Sequence, residues 1–460
     1  MNSQPFRRRL LASLRPLNVN AMVMTVKPKS VRGMNDLLPE VSATWRLVED
    51  IAREVIEAYG YREIRLPILE HTEIFSRAIG EITDIVEKEM YSFRDRNDES
   101  LTLRPEGTAG MVRAGITNGL LHNQKQKLWT VGPMFRYEKP QKGRYRQFHQ
   151  FDVEAMGYAG PDIDAELIIM CARMWERLGL SRLALEINSL GTDACRVNYR
   201  NALVKYFSAV KSQLDEDSIR RLEKNPLRIL DSKNPDIQAL IEVAPVITDH
   251  LDAESAAHFA TLQDHLDAAG IPYVVNPRLV RGLDYYNQTV FEWVTDALGS
   301  QGAVCAGGRY DGLVEKLGGR QIPAIGWAMG IERLVGLYEA SGGSAGDGSV
   351  DVYVVAVGDA AFKVGLAIAE NLRDQSDRIR VELNLGGGSF KSQLKRADKS
   401  GAEYAIILGE DEIARGEVAL KPLRTEAEQQ HVAIDELAAM LVNKLETSIV
   451  GLAPRGLSGN

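Results

Sequence analysis

Arginines and carboxylates occur together in three separated stretches of the chain, a combination typical of phosphate binding. In the first stretch, Arg136 and Glu138 end a predicted strand and a basic loop follows. In the second, Arg281 and Asp284 precede two phenols, and in the third Arg333 lies near a predicted helix start. Arginine makes planar, bidentate contacts with phosphates and carboxylates. Three arginines on separate elements therefore predict one site for ATP and a small substrate.

Polar side chains on the neighbouring segments could face the same site. Gln150, Asp152 and Glu154 share one face of the predicted strand that returns from the basic loop, because side chains alternate along a strand. Glu106 and Thr108 lie two residues apart and would point the same way in an extended segment. Such a hairpin could hold a phosphate and an exocyclic amine together. From the hairpin alone, an exposed charged surface is an equally good interpretation.

The elements that must position these residues are predicted to form an antiparallel sheet flanked by helices. A helix is expected over residues 42–59, capped by Ser42, because apolar residues recur at steps of three and four. Short polar connections favour antiparallel pairing. Residues 195–270 read as a helical, polar insertion, and another helix begins near Gly330. The predicted strands are 64–69, 101–103, 128–131, 148–153, 273–275 and 289–294.

A second architecture follows a glycine- and serine-rich stretch. Residues 341–349 are predicted to be a flexible linker, and after them strands and helices alternate in an α/β module of about 100 residues. We expect five segments: a disordered basic leader (1–24), a catalytic domain with its insertion (25–340), the linker (341–349), the α/β module (350–448) and a disordered tail (449–460).

Composition limits the class of protein. The 460 residues suffice for roughly three domains of about 150 residues each. A formal charge of -8 excludes a globally basic nucleic-acid coat but not a local basic patch. No apolar run approaches the ~18 residues that a membrane span needs, so a soluble, cytoplasmic protein is expected. Cys171, Cys195 and Cys305 are far apart in sequence, which favours free thiols in a reducing compartment.

Several familiar motifs for nucleotide binding, nucleophilic catalysis and metal binding are incomplete or lack the required structural context. The segment 386–392 resembles a P-loop but has Leu385 and Phe390 where glycines are needed. A Gly-x-Ser-x-Gly match around Ser344 has no strand before it and no helix after it. The seven histidines are scattered, and no metal site is predicted from a protein motif. The first 32 residues are basic and free of acids, which fits a leader, a transit peptide or an upstream start codon.

Six motifs together resemble the histidyl-tRNA synthetase family, which belongs to the class II aminoacyl-tRNA synthetases, from about residue 27 to 445. They are RGMNDLLPE (32–40), TLRPEGT (102–108), FRYEKPQKGRYRQFHQFDVE (135–154), RGLDYYNQTVFE (281–292), GGRYDGL (307–313) and AMGIERL (328–334). RGLDYY is the histidine-specific motif, and the class I signatures HIGH and KMSKS are absent. The resemblance implies an α+β catalytic domain built on an antiparallel sheet, a helical insertion and a C-terminal anticodon-binding domain.

The resemblance also implies roles in ATP binding and catalysis. Arg136 would bind the α-phosphate and Arg333 the γ-phosphate. Glu138 would recognise the adenine amine, and Phe148 would stack on the ring. Arg281 would lie between the reacting carboxylate and the α-phosphate. Mg²⁺ is expected on the β- and γ-phosphates, with no ligand assigned from the sequence.

For histidine, the resemblance implies a pocket of seven residues: Glu106, Gly107, Thr108, Gln150, Glu154, Tyr285 and Tyr286. The α-ammonium group would contact Glu106, Thr108 and Gln150. The imidazole would lie between Glu154 and Tyr286. A pocket that hydrogen-bonds both imidazole nitrogens rejects analogues without them by ~10⁴–10⁵, so no editing domain is expected.

The implied partners are ATP, L-histidine, the histidine tRNA and a second copy of the chain in a homodimer. The tRNA acceptor end would contact Lys139, Gln141, Lys142, Arg144 and Arg146. The anticodon-binding domain has four basic residues on one predicted helix: Lys391, Lys395, Arg396 and Lys399. The insertion would contact the acceptor arm, and the region around Pro67 resembles the motif that forms the family's dimer interface. The tRNA bases that are recognised stay open.

Three alternatives compete with this interpretation. The synthetase-like regulatory subunit of ATP phosphoribosyltransferase has the catalytic fold without tRNA charging, and it is expected to lack the C-terminal module. A synthetase for threonine, proline or glycine would share the arginines, but RGLDYY with Gln150 and Glu154 argues against it. An RNA-binding module without enzymatic activity would not need three separated arginines.

Overall fold

The computed structural model describes residues 27–80, 83–230, 232, 234–299, 302–345, 350–376 and 379–450. The predicted leader (1–24), residues 346–349 of the predicted linker and residues 451–460 of the predicted tail lie outside this part of the chain. The last described helix ends at Val450. The proposed domain limits otherwise stay predictions.

Sixteen strands form three sheets in the described residues. They are β1 (Arg62–Glu63), β2 (Leu69–His71), β3 (Tyr91–Arg94), β4 (Ser100–Leu103), β5 (Gln126–Phe135), β6 (Gln147–Met156), β7 (Ala184–Ser189), β8 (Val274–Val275), β9 (Asn287–Val294), β10 (Ala303–Arg309), β11 (Ala324–Gly330), β12 (Val352–Ala356), β13 (Val381–Leu383), β14 (Tyr404–Leu408), β15 (Glu417–Pro422) and β16 (Gln430–Ala433).

Fourteen α-helices accompany them within the same residues. They are α1 (Pro39–Ala58), α2 (Thr72–Ile79), α3 (Thr108–Thr117), α4 (Pro161–Arg177), α5 (Asp193–Ala209), α6 (Glu216–Lys224), α7 (Gln238–Glu242), α8 (Ala253–Ala268), α9 (Leu313–Lys316), α10 (Ile331–Ala340), α11 (Asp359–Gln375), α12 (Phe390–Lys399), α13 (Glu410–Arg415) and α14 (Ile434–Val450).

The large sheet has eight strands in the order β1-β5-β6-β11-β10-β9-β7-β8. Its inner pairs are antiparallel, as the sequence predicts, and only β1 with β5 and β7 with β8 are parallel. Helices α1, α4 and α10 pack against this sheet through one apolar cluster that includes Trp129, Phe151 and Trp327. The opposite face carries the polar residues of the predicted site, since side chains alternate along each strand.

The register of the central strands brings distant motifs together. Glu154 of β6 lies opposite Gly326 of β11, and Gly326 lies opposite Gly308 of β10. A side chain at position 326 would place a Cβ 1.6 Å from Glu154 Oε2. The glycine therefore leaves the space that the Glu154 carboxylate occupies across the sheet surface.

Two local predictions are wrong. Residues 64–68 are not a strand: β1 ends at Glu63 and β2 begins at Leu69. Pro67 lies between them, and a proline cannot donate a hydrogen bond to a strand ladder. Helix α1 begins at Pro39, three residues before the predicted cap, and Ser42 Oγ instead donates to Leu38 O at 2.9 Å.

The helical insertion is confirmed. Helices α5 to α8 lie between β7 and β8. Helices α5, α6 and α7 share a small apolar core that includes Tyr199, Leu203 and Phe207, whereas α8 packs in the apolar cluster of the large sheet. Asp215 accepts a hydrogen bond from Ser218 N at the start of α6. This cap holds the first turn of α6, which precedes the 3₁₀ turn Pro226–Ile229.

The C-terminal module has a five-stranded sheet in the order β13-β12-β14-β15-β16. The predicted alternation of strands and helices is present from β12 to β14, and β12 pairs in parallel with both β13 and β14. Strands β15 and β16 add an antiparallel edge that the sequence interpretation did not include. The module is therefore a mixed sheet with its own apolar core.

Candidate active site

One cavity of about 290 Å³ opens on the polar face of the large sheet. Twelve residues predicted for binding or catalysis line it: Glu106, Thr108, Arg136, Glu138, Arg144, Phe148, Gln150, Glu154, Arg281, Tyr285, Tyr286 and Arg333. They come from the loop between β5 and β6, from β6 itself, from the segment that leads into α3, from the segment before β9 and from α10. The sheet thus brings together residues that are more than 200 positions apart in the chain.

Glu154 lies at the centre of one end of the cavity and is held from two sides. Thr108 Oγ1 donates to its Oε1 at 2.6 Å, and Tyr310 Oη donates to its Oε2 at 2.5 Å. Burial raises the pKa of Glu154 to about 8, although both hydroxyl groups lower it. Two hydroxyl donors orient the carboxylate as an acceptor, so its remaining lone pairs are available to a donor on a ligand.

Two further carboxyl groups lie beside Glu154. Glu106 accepts hydrogen bonds from the backbone N–H groups of Thr108 and Ala109, at 2.8 and 2.9 Å, which fixes the first turn of α3. Asp152 is fully buried, and burial together with the charge of Glu106 raises its pKa to about 7. No described residue makes a hydrogen bond to either Asp152 oxygen. This end of the cavity therefore favours a cationic ligand, which would stabilise three closely spaced carboxylates.

Three tyrosines form the aromatic wall at this end. The rings of Tyr285 and Tyr286 lie 4.6 Å apart, and those of Tyr285 and Tyr310 lie 5.7 Å apart. All three are less than a tenth exposed. Burial raises the pKa of the Tyr286 phenol, so the hydroxyl stays protonated and can donate. The wall is flat, apolar and edged with hydroxyl groups, which suits a small aromatic heterocycle.

The other end of the cavity is basic. Arg281 forms an ion pair with Glu292 of β9, and its guanidinium lies 5.6 Å from the centre of the Tyr286 ring. Burial alone would lower the pKa of Arg281, but Glu292 raises it, so the residue keeps its charge. Arg333 donates to Gly143 O at 3.0 Å and to Ala303 O at 2.7 Å. Each arginine is thus held by main-chain or carboxylate partners.

Arg136 and its neighbours complete the basic end. Arg136 donates to Pro105 O at 2.9 Å, and its guanidinium lies 5.2 Å from the centre of the Phe148 ring. Glu138 forms an ion pair with Arg144, in which Glu138 Oε2 lies 2.6 Å from Arg144 Nε. Arg136 and Arg144 both lower the pKa of Arg333, after the larger effect of burial, because like charges repel. Such a cluster of guanidinium groups has the charge needed to hold several phosphates.

Five predicted site residues do not line this cavity: Gly107, Lys139, Gln141, Lys142 and Arg146. Gly107 lies beneath it, where an added Cβ would be 2.6 Å from the Asp152 carboxyl group. Lys139, Gln141 and Lys142 are exposed on the loop between β5 and β6. Arg146 lies 3.8 Å from the centre of the Tyr137 ring and donates to Glu138 O. Arg144 was grouped with these residues, but it points into the cavity.

Sequence reasoning missed two residues with a direct part in this geometry, Tyr310 and Glu292, and it gave no role to Asp152 although it placed Asp152 on the same face as Glu154. Tyr310 lies in the GGRYDGL motif, Asp152 shares a face with Gln150 and Glu154, and Glu292 ends the RGLDYYNQTVFE motif. The alternation that selected Glu154 also selects Asp152. No sequence signal pairs Glu292 with Arg281 or Tyr310 with Glu154, since those contacts depend on the register of β9, β10 and β6.

No group of three or more histidine, cysteine, aspartate or glutamate side chains could hold a metal ion in the described part of the chain. Near the basic end, Glu332 accepts from His149 N and lies 3.0 Å from His149 Nδ1. With Glu138 paired to Arg144 and Glu292 to Arg281, the nearby carboxylates already have protein partners. The same residues include no helix long and apolar enough to cross a membrane.

The predicted basic face of α12 is present. Lys391, Lys395, Arg396 and Lys399 are all exposed. Arg396 also donates to Asn384 Oδ1 at 2.8 Å and to Gly387 O at 2.5 Å, which holds the glycine-rich loop before the helix. The lysines have no such partner among the described residues of the glycine-rich loop, and all four residues present their charge to solvent.

Comparisons with known proteins agree with this arrangement. A family model described as "Histidyl-tRNA synthetase" matches residues 33–334, and one described as "Anticodon binding domain" matches residues 351–444. A curated histidine–tRNA ligase of Hydrogenovibrio crunogenus (strain DSM 25203 / XCL-2) is 58% identical over 425 residues, which are 92% of this chain and 100% of that protein.

Two solved structures are similar over most of their length. The apo histidyl-tRNA synthetase of S. aureus is 38% identical with a TM-score of 0.75, covering 90% of this chain and 99% of that one. A histidyl-tRNA synthetase from Nostoc sp. PCC 7120 is 20% identical with a TM-score of 0.68, covering 91% and 99%, and this match concerns the fold alone.

Proposed function

The chain belongs to the histidyl-tRNA synthetase family, and we propose that the cavity on the polar face of its large sheet is where histidine is activated. As a member of this family, the chain joins histidine to its tRNA at the expense of ATP. A carboxylate oxygen of histidine first attacks the α-phosphorus of ATP, and pyrophosphate leaves. A hydroxyl group at the 3′ end of the tRNA then attacks the carbonyl carbon of the adenylate, and AMP leaves.

The observation that carries the site proposal is the charge separation within a single cavity. Three buried carboxyl groups and a tyrosine wall form one end, and four arginines line the other. Histidine has a cationic ammonium group and an imidazole at one side and an anionic carboxylate at the other. In this orientation its carboxylate points towards the arginines, where the phosphates of ATP would lie.

We assign the histidine contacts accordingly. The imidazole lies between Glu154 and Tyr286, with one nitrogen donating to the Glu154 carboxylate. Tyr285 lines this pocket, and Gly107 allows Asp152 to approach beneath it. The ammonium group binds beside Glu106, Thr108 and Gln150. Thr108 has a second role, because its hydroxyl group already orients Glu154.

Arginines supply the main assistance to the chemical step. Arg281 lies between the histidine carboxylate and the α-phosphate, Arg136 binds the α-phosphate, and Arg333 binds the γ-phosphate. Glu138 recognises the adenine amine and Phe148 stacks on the ring. The attack brings two anionic groups together, so positioned cations lower its barrier without a protein nucleophile. Mg²⁺ would be held by the β- and γ-phosphates, because the carboxylates nearby already have protein partners.

The tRNA would contact two separate surfaces. Lys139, Gln141, Lys142 and Arg146 lie at the loop between β5 and β6, beside the cavity, and would meet the acceptor end. The lysines of α12 would contact the anticodon arm. As a test, the logarithm of the tRNA dissociation constant should rise linearly with the logarithm of salt concentration, with a slope that reflects a few phosphate contacts. A flat salt dependence would contradict this assignment.

The regulatory-subunit alternative is not favoured. The anticodon-binding domain is present over residues 351–444, and the arginines of the ATP site are all retained. The direct test is aminoacylation: the purified chain, ATP, Mg²⁺, labelled histidine and histidine tRNA should give acid-precipitable histidyl-tRNA. Adenylate formation without transfer to tRNA would contradict the ligase assignment.

Assembly and location are proposed from the family. We propose a homodimer that uses the region around Pro67, where Ile68 and Leu69 are 43% and 37% exposed, and a cytoplasmic location. Sedimentation equilibrium should give twice the chain mass of 50.9 kDa. A monomer at micromolar concentration would contradict the proposed dimer.

A further inference from the structure

Residues 281–286 include Arg281, Tyr285 and Tyr286, yet they lie outside any helix or strand. Three hydrogen bonds reach their backbone from elsewhere in the described chain. Asp284 N donates to Ile79 O at 3.2 Å, which is a bond within the catalytic domain. In the other two bonds, arginines of the helical insertion donate to carbonyl oxygens of the segment. The segment that supplies both the reactive arginine and the aromatic wall is therefore held largely from outside the sheet.

The first donor is Arg196 on α5. Its Nη1 donates to Tyr286 O at 2.7 Å, and an ion pair with Asp193, one turn earlier, orients the guanidinium. The Arg196 side chain is 28% exposed, so the bond is partly shielded from water. Tyr286 O belongs to a residue whose ring lines the active-site cavity, and the position of this oxygen sets where that ring can lie.

Arg228, in the turn after α6, holds the other end of the segment. Its Nη2 donates to Gly282 O at 2.5 Å and lies 3.5 Å from Asp284 Oδ1. The Arg228 side chain is 20% exposed. Gly282 directly follows Arg281, so this bond fixes the backbone beside the arginine that pairs with Glu292.

We propose that Arg196 and Arg228 are positioning residues for histidine activation, through which the helical insertion holds the 281–286 segment against the cavity. They do not touch the substrates; they act through the backbone that supports Arg281, Tyr285 and Tyr286. This inference rests on the proposed function of the cavity. It differs from a role in tRNA binding, because it predicts that the insertion affects a reaction in which no tRNA takes part.

A matched control lies on the same helix. Arg200 follows Arg196 by one turn of α5. Both residues line a second cavity, of about 390 Å³, between the insertion and the 281–286 segment. Arg200 is exposed, and it makes no hydrogen bond or ion pair to the described residues. Removal of Arg200 changes the charge of this surface as much as removal of Arg196, but it leaves the backbone bond intact.

The experiment is ATP–pyrophosphate exchange without tRNA on the full-length chain and on Arg196→Ala, Arg228→Ala, Arg196→Lys and Arg200→Ala variants. A lost hydrogen bond from a charged donor predicts a KM for histidine that is about 10- to 100-fold higher in the first two variants. The KM for ATP should rise less than the KM for histidine, because the ATP contacts of Arg136 and Arg333 are untouched and only Arg281 reaches both substrates. Arg196→Lys should retain more activity than Arg196→Ala, and Arg200→Ala should match the unaltered chain.

Three results would overturn the inference. Unchanged exchange with impaired aminoacylation would make the two arginines tRNA contacts instead. An equal loss for histidine and ATP, with a lowered melting temperature, would make their role purely structural. Loss in Arg200→Ala equal to that in Arg196→Ala would assign the effect to surface charge. If Arg196→Ala does not fold, the comparison of Arg196→Lys with Arg200→Ala distinguishes a positioning role from an effect of surface charge. Exchange absent from the unaltered chain would instead refute the proposed function itself.

Discussion

Replacement of Tyr310 by phenylalanine removes a single oxygen from the histidine pocket. That oxygen donates to Glu154 Oε2 at 2.5 Å, and the residue is only 1% exposed. Phenylalanine keeps the ring and its contact with Tyr285, so the change isolates the hydrogen bond. Glu154 would retain the bond from Thr108 but lose the one that fixes its second oxygen.

The magnitude follows from the type of bond. Hydrogen bonds to charged groups contribute about 1.5–3 kcal/mol, and the Tyr310 bond is buried, so kcat/KM for histidine should fall about 10- to 100-fold. The loss should appear mainly as a higher KM for histidine if Glu154 binds the ground state and the transition state equally. The KM for ATP should be unchanged, since Tyr310 lies at the acidic end of the cavity.

The assay is ATP–pyrophosphate exchange at varied histidine and at varied ATP. Tyr158→Phe is a suitable control, because the Tyr158 hydroxyl makes no hydrogen bond to any described residue and the ring is retained. A Tyr310→Phe variant with a normal KM for histidine would refute the reasoning that Glu154 must be held from two sides. Equal increases in both KM values would show that the residue supports the fold rather than the histidine pocket.

Three further predictions follow from the same geometry. Glu154 must be ionised to accept from the imidazole, and its pKa is raised to about 8, so the KM for histidine should fall as the pH rises from 7 to 8. A Glu154→Gln variant should show a smaller fall, because Asp152, whose pKa is raised to about 7, still titrates beside it; an unaltered chain with a flat profile would contradict the prediction. Arg281→Ala should lower kcat by ~10²–10³ in single-turnover adenylate formation, and a loss below about threefold would exclude a role at the reacting atoms. Gly326→Ala should raise the KM for histidine about 10- to 100-fold and lower the melting temperature, because the added Cβ would meet both the Glu154 carboxylate and the backbone oxygen of Val153. Gly336→Ala, whose added Cβ has space, should do neither; similar kinetics for the two variants would be inconsistent with the close approach.

Much of the fold could be predicted because local patterns and long-range packing agree. The alternation along residues 147–156 identifies both the strand and the face that carries Gln150, Asp152 and Glu154. The polar, helical character of the insertion is clear from composition alone. The segment 64–68 was mispredicted because its alternation suggests a strand, although Pro67 interrupts the ladder.

The site was predictable where a motif holds the residues close in sequence, and less so where the sheet register joins distant motifs. Glu106 and Thr108 both line the cavity, although Thr108 begins helix α3 and does not continue the extended segment that the spacing argument assumed. The bond between Tyr310 and Glu154 could not be predicted, because it depends on β6, β11 and β10 being neighbours in that order. The same holds for Arg196 and Arg228, whose main-chain partners lie between 50 and 90 positions away.

The central claim is that this cavity activates histidine and no other amino acid. It is tested most directly by ATP–pyrophosphate exchange on the purified chain, without tRNA, with each of the twenty amino acids in turn. The account predicts exchange with histidine alone. Exchange with a different amino acid would contradict the pocket formed by Glu154 and Tyr286, and exchange with none would contradict adenylate formation in this cavity.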